Sequence, residues 1–252
     1  MDKTSIEPST PSGQPRRSLI AVGAASAIFA IDSDFVLKRH VNSPDNFGVM
    51  AYNIEIRAYE RLGNHPQIAN CREVTDDGII LERGECLRRT IQSKGPTITM
   101  QTRLRWAREA AEGLRYIHQQ NIVHADIGCH NLIVDRLGHI KFIDFGGSGI
   151  DGEAALVCYE WCSYKPGSEP DIKTDIFALG STLFEIESSK KPYHELEETL
   201  DFRQLGRRVE HLFTLRQYPS VDMLILGHII VRCWDGYYGS MDEVWSDIDA
   251  CS

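Results

Sequence analysis

Apolar residues change their spacing several times along the chain, and the changes predict its elements. Residues 19–31 and 35–37 are short apolar runs on either side of Asp32-Ser33-Asp34, which reads as strands joined in hairpins. Over about residues 52–62, charged and apolar positions mix at helical spacing until Gly63-Asn64-His65-Pro66 ends the helix. Gly78-Ile79-Ile80-Leu81 has the look of a short buried strand. After Gly95-Pro96 the character changes. Leu104, Ala107, Ala110, Ala111, Leu114 and Ile117 recur three and four residues apart and predict an amphipathic helix ending near Gln120-Asn121. Two strand-like runs follow, 131–134 and 140–143, with a turn over 135–139 between them. Residues 175–186 are apolar on nearly every face, the mark of a helix buried all round, and helices are expected from there to the end. No internal repeat is present.

Composition narrows the class. A chain of 252 residues with 42% hydrophobic and 25% charged residues has a normal globular mix and enough length to bury a core. Residues 1–17, with Pro8, Pro11 and Pro15 among Ser, Thr and Gly, read as a disordered arm, which leaves 18–252 as one domain. Its net charge of -9 disfavours nucleic acid as a partner, since phosphate neutralisation needs a basic surface. No run approaches the length of a membrane span, so no membrane partner is expected. Seven cysteines, an odd number in a chain this long, suggest a reducing compartment rather than a disulfide framework; the expected location is the cytoplasm, with the nucleus open. Arg16-Arg17 before the 19–31 run imitates a twin-arginine signal. That reading is set aside, because a turn cluster follows and the run has a chemical use described below.

The densest chemistry lies in His124-Ala125-Asp126-Ile127-Gly128-Cys129-His130-Asn131, followed by Ile143-Asp144-Phe145-Gly146. Two carboxylates and a carboxamide sit on loops bounding a small hairpin. Such oxygens suit a hard cation such as Mg²⁺, which is usually bound together with substrate phosphates. A carboxylate near a nucleophile can also accept its proton. The pair of motifs resembles the catalytic loop and Asp-Phe-Gly loop of eukaryotic-type protein kinases. The resemblance implies that Asp126 faces the substrate hydroxyl and that Asn131 and Asp144 bind Mg²⁺.

Upstream residues fall where that family needs them. Phe35-Val36-Leu37-Lys38 is similar to its Val-Ala-Ile-Lys strand, so Lys38 would hold the α and β phosphates of ATP. Glu55 would pair with Lys38; it stands eleven residues before Pro66, where the family's helix-to-strand turn tends to fall, and is preferred over Glu60. The run 21–28 occupies the position of the glycine-rich loop. Only Gly23 remains, while Ala21 and Ser26 replace the outer glycines and Val22 lies between. These small residues would still let backbone N–H groups approach the phosphates. Ile28 and Val36 would roof the adenine ring and Ile133 would floor it. Leu81-Glu82-Arg83-Gly84 matches the hinge, whose backbone at Glu82 and Gly84 would bond the adenine edge. Asp175-Ile176-Phe177-Ala178-Leu179-Gly180 looks like the buried helix anchoring the family's C-lobe, with Asp175 accepting from the catalytic-loop backbone; its style is similar to that of fungal serine/threonine protein kinases. Cys233-Trp234 resembles a core pair of a later helix.

The implied fold is α+β and two-lobed: a small N-lobe of about residues 18–84 with an antiparallel sheet and one helix, and a larger, mainly helical C-lobe of about 85–252. The implied function is an ATP- and Mg²⁺-dependent kinase acting on protein hydroxyls, with serine and threonine favoured. The departures keep two alternatives open. The arginine before the catalytic aspartate is Ala125, the lysine two residues after it is Gly128, and the tyrosine-kinase arginine four residues after it is His130. No Ala-Pro-Glu stands near Trp161-Cys162-Ser163. A pseudokinase that binds nucleotide as a scaffold would fit these losses. A small-molecule kinase of the aminoglycoside or choline type would share His-x-Asp-x-x-x-x-Asn, though the 175–180 run argues for the protein kinase branch. His124, Cys129, His130, Cys158 and Cys162 are residue types that bind zinc, but they lack a second pair at zinc spacing; His124 reads instead as a core histidine propping the Phe145 loop.

Overall fold

Five strands near the start of the chain form one antiparallel sheet: Leu19–Val22 (β1), Ser26–Ala30 (β2), Phe35–His40 (β3), Cys71–Thr75 (β4) and Gly78–Glu82 (β5), in the order β1-β2-β3-β5-β4. The structure is a computed structural model and describes residues 17–23, 26–41 and 46–251. The arm expected over 1–17 falls outside these residues except for Arg17, as do Ala24 and Ala25 of the loop run. The 19–31 run is a hairpin of two strands, β1 and β2, and its bend lies at the expected glycine-rich loop. Cross-strand partners share a face, and Ile28 stands opposite Lys38 while Val36 lies two residues from it. Ile28, Val36 and Lys38 therefore look out of the same face. Gly78 fixes the backbone behind them. Its φ of 142° belongs to glycine, and a Cβ there would come within 2.2 Å of the Lys38 carbonyl oxygen.

The helix between β3 and β4 is Phe47–Leu62 (α1). It begins five residues before the spacing predicted, because Asn46 turns the chain in the left-handed region without a side-chain cap and the first turn is not polar. Its buried stripe is Ala51, Glu55, Ala58, Tyr59 and Leu62. A glutamate inside an apolar stripe needs a buried partner.

The chain leaves β5 and enters a second, three-stranded sheet through Arg83-Gly84. That sheet pairs Glu85–Cys86 (β6), Leu132–Val134 (β8) and Ile140–Phe142 (β9) in the order β6-β8-β9; between its strands come the helices Leu87–Lys94 (α2) and Met100–Gln119 (α3) and the short strand Ile122–Val123 (β7), which pairs with Gly149–Ile150 (β10). The link before β4 is bonded to β9, with Ala69 N–H to Phe142 O at 3.0 Å and Phe142 N–H to Gln67 O at 2.8 Å. This ties the sheet half to the helical half beside Asp144. The remaining helices are Ile172–Ser188 (α4), Phe202–Thr214 (α5), Gly227–Asp235 (α6) and Met241–Asp249 (α7). α4 starts with a reciprocal cap between Asp171 and Thr174, and every residue from Thr174 to Glu187 is buried. It packs on α6 so closely that a Cβ on Gly180 would lie 2.7 Å from that of Cys233, while Trp234 Nε1–H donates to Ser181 Oγ at 3.1 Å. The α+β architecture, a sheet half with one helix and a mainly helical half, is the one the motifs implied.

Candidate active site

The loop 124–131 hangs from Asp175 of α4. The Asp175 carboxylate is fully buried and accepts from His124 N–H at 2.8 Å and Ala125 N–H at 3.0 Å. It also meets the Tyr159 hydroxyl at 2.7 Å and His118 Nε2 at 2.9 Å. Ala125 adopts a φ of 66°, a strained value for a residue with a Cβ, and this turn presents Asp126. Asn131 Nδ2 then donates to both the backbone oxygen and Oδ2 of Asp126, each at 2.9 Å.

Asp144 is the second left-handed residue of the site, with a φ of 67°. Lys38 Nζ stands 2.6 Å from Asp144 Oδ1 and 2.7 Å from Glu55 Oε1. Burial alone would lower the Lys38 amine, but the Asp144 and Glu55 charges outweigh it and raise it above its ordinary range. Lys38 in turn holds the Asp144 carboxyl below its ordinary value. Glu60, by contrast, is exposed. Phe145, fully buried, lies edge-on to Tyr59 with ring centres 5.2 Å apart and tilted against the His124 ring at 5.0 Å. His124 Nε2 lies 3.1 Å from the Ile143 carbonyl oxygen, so its work is to prop this loop.

A cavity of about 220 Å³ opens between the β1–β2 hairpin, α1 and these loops, and Gly23, Ser26, Lys38, Glu55, Asp126 and Asp144 line it. The other sequence-predicted residues lie apart from its lining. Ala21 and Val22 stand on the edge strand β1, with Val22 exposed. Ile28 is half-buried, and Val36 and Ile133 are almost closed off. Gly84 lies on Ile133, where a Cβ would come within 2.8 Å of the isoleucine's own. The Glu82 and Arg83 N–H groups already donate to the Asn70 and Asp34 carbonyls at 2.8 Å, and the Glu82 carboxylate holds Lys141 at 2.8 Å. Among the described residues no three His, Cys, Asp or Glu side chains are placed to hold a metal. The donor set that suits Mg²⁺ is mixed: the Asp144 carboxylate, half exposed, and the Asn131 amide, whose nitrogen is spent on Asp126 and whose oxygen is of the right type.

Several residues of the site carry no local sequence signal. Arg57 of α1 forks onto Glu153, both bonds 2.9 Å, and Arg61 forks onto Asp151. The helix that carries Glu55 is thereby latched to the segment after Asp144. Three hydroxyls of that segment, Ser148, Tyr159 and Ser163, are buried. His130 reaches back to Asp126, its Nε2 3.3 Å from Oδ1. Burial would lower its pKa, but Asp126 and Glu160 raise it to about 10.

A family profile described as "Protein kinase domain" matches residues 32–225. The chain belongs to this family. It is 28% identical over 197 residues to a "Probable serine/threonine-protein kinase" of Clostridium acetobutylicum, a match covering 69% of this chain and 30% of that one. To mitogen-activated protein kinase kinase kinase 1 of Arabidopsis thaliana it is 27% identical over 197 residues, 71% of this chain and 31% of the relative. To a serine/threonine/tyrosine-protein kinase of the same plant, HT1, it is 24% identical over 156 residues, 59% and 39% of the two chains. The protein kinase domain here thus spans about a third of the length of these relatives. No helix among its described residues is long and apolar enough to cross a membrane.

Proposed function

We propose that this protein kinase domain transfers the γ-phosphoryl group of ATP to serine and threonine hydroxyls of a protein substrate, with Mg²⁺ as cofactor. The observation that carries the reading is Lys38 bridging Glu55 and Asp144 within one cavity that Asp126 also lines. Lys38 would hold the α and β phosphates, kept in place by buried Glu55. Asp126, fixed by Asn131, would accept the hydroxyl proton and orient the nucleophile. Asn131 and Asp144 would hold Mg²⁺, which neutralises charge on the phosphate oxygens. Gly23 and Ser26, with Ala21 and Val22, would cover the phosphates. Ile28, Val36 and Ile133 would enclose the adenine, and the hinge backbone at Glu82 and Gly84 would meet its edge. The Clostridium acetobutylicum relative carries serine/threonine alone in its name, while HT1 adds tyrosine, which favours serine and threonine as acceptors. ATP chemistry and free cysteines suit the cytoplasm or nucleus.

The test is incubation with Mg²⁺ and γ-labelled ATP beside three acceptors: casein, an aminoglycoside and choline. Label in phosphoserine or phosphothreonine of casein supports the reading. Label only in the small molecules would replace it with the small-molecule alternative. ATP binding with no transfer would leave a nucleotide-binding scaffold, the reading that the lost outer glycines favour. Binding itself should depend on the metal: ATP raises the melting temperature more with Mg²⁺ than without, since a ligand stabilises by mass action. Equal shifts would remove Asn131 and Asp144 from the metal site.

The latch leads to a further expectation. Asp151 and Glu153 already give Arg57 and Arg61 the negative partners that a loop phosphate would supply, and Ala125 leaves no arginine to neutralise. Phosphatase treatment, followed by its removal, should leave transfer unchanged. Replacing Arg57 and Arg61 together with alanine should lower transfer several-fold, and more at low salt than at high salt. Loss of most activity on dephosphorylation would refute this.

A further inference from the structure

Two departures from the protein kinase pattern, Gly128 and His130, meet in space. The Asp126 carboxylate is approached at both oxygens, by Asn131 Nδ2 at 2.9 Å from Oδ2 and by His130 Nε2 at 3.3 Å from Oδ1. A carboxylate stands behind the imidazole. Its Nδ1 faces Glu160 Oε1 at 3.5 Å, which is long for a hydrogen bond. Glu160 is gripped by both terminal nitrogens of Arg88, and the same guanidinium forks onto Glu185 with two contacts of 2.7 Å. Arg88 comes from α2, Glu160 from the segment after Asp144, and Glu185 from α4. Three separate parts of the helical half thus converge behind one ring.

Gly128 makes room for that ring. Its φ of 178° and ψ of 162° are extended backbone that any residue adopts, so conformational freedom does not account for a glycine. Space does. A Cβ at this position would stand 2.5 Å from His130 Nδ1 and 2.6 Å from its Cε1, contacts that a packed ring cannot accept. The imidazole lies where a side chain at residue 128 would go.

We propose that His130 is a positioning residue for the transfer reaction, that it orients Asp126 through Oδ1, and that Gly128 is required because it leaves the place of the imidazole empty. The proposal rests on the kinase reading and adds a coupling between two residues that this reading does not use. With only Asn131 on the carboxylate, Asp126 would be free to rotate about the bond that His130 now restrains, and a misplaced proton acceptor costs rate rather than substrate affinity.

The test is a double-substitution cycle with two readouts. In labelled transfer, His130→Ala should lower kcat about tenfold with KM for ATP unchanged. His130→Gln, which returns an amide N–H at similar reach, should recover most of it. Gly128→Ala should match His130→Ala, and the pair together should lose no more than either alone. In thermal unfolding, Gly128→Ala should lower the melting temperature in the natural chain and leave it unchanged in a His130→Ala background. Additive losses in kcat, a loss confined to KM, or equal melting shifts in both backgrounds would overturn the proposal. A natural chain that transfers nothing would instead overturn the kinase reading, and the positioning role with it, while the melting cycle would still decide whether the ring fills the space at Gly128.

Discussion

Lys38→Met and Asp144→Asn should each lower phosphoryl transfer by at least about a hundredfold, the scale of removing one preorganised charge from a site where charge develops. The two side chains act as a unit. Lys38 lies 2.6 Å from Asp144 and 2.7 Å from Glu55, and the carboxylates hold its charge in a buried place. Lys38→Met leaves Glu55 buried with no cation, so the glutamate takes up a proton and the pocket keeps its shape but not its field. Asp144→Asn keeps the size of the side chain and removes the negative charge that suits a divalent cation. Glu55→Ala should cost less than Lys38→Met, because the lysine survives with one carboxylate still beside it. Glu60→Ala should cost nothing, because that side chain points to solvent. Initial rates measured with circular dichroism of each variant separate lost chemistry from lost folding. A larger loss with Glu60→Ala than with Glu55→Ala would contradict the pairing.

Asp175→Ala should destabilise the fold by about 3–5 kcal/mol, the scale found when one partner of a buried charged network is removed. Four donors converge on this carboxylate, and two are backbone N–H groups of the loop that presents Asp126. The two backbone donors cannot turn to water, since Asp175, His124 and Ala125 are fully buried. Burial works against the Asp175 charge, yet the His118 contact and the other donors hold its carboxyl below the ordinary value. The sign follows. A group with a lowered folded pKa contributes fully above its unfolded pKa, near 4, and loses that contribution as pH falls through the folded value. Urea unfolding should therefore show a smaller acid-side decline for Asp175→Ala than for the natural chain. An unchanged midpoint at pH 7 would mean that the loop does not hang from α4.

Much of this site was legible because its chemistry is local in sequence. Asp126 and Asn131 lie on one loop, Asp144 and Phe145 on the next, and the uniform apolar character of 175–186 marked α4 as buried. The choice of Glu55 over Glu60 was also legible, from its distance to the helix stop. What the sequence could not supply were contacts between distant segments. Arg57 meets Glu153 and Arg61 meets Asp151 across some ninety residues, and any surface arginine and glutamate look alike until the chain has folded. Gly128 and His130 appeared as two separate losses; only the Cβ geometry makes them one feature. The start of α1 was missed for a local reason, since Asn46 offers its backbone turn and no capping side chain.

Whether Asp126 serves phosphoryl transfer from Mg-ATP is decided by single-turnover transfer from labelled ATP to casein. Asp126→Asn should be compared with the natural chain, since it keeps the shape of the side chain and removes its capacity to take a proton. The natural chain should label serine or threonine, Asp126→Asn should lose about a hundredfold or more, and melting stabilisation by Mg-ATP should be unchanged in both. Equal rates for the two proteins would contradict it.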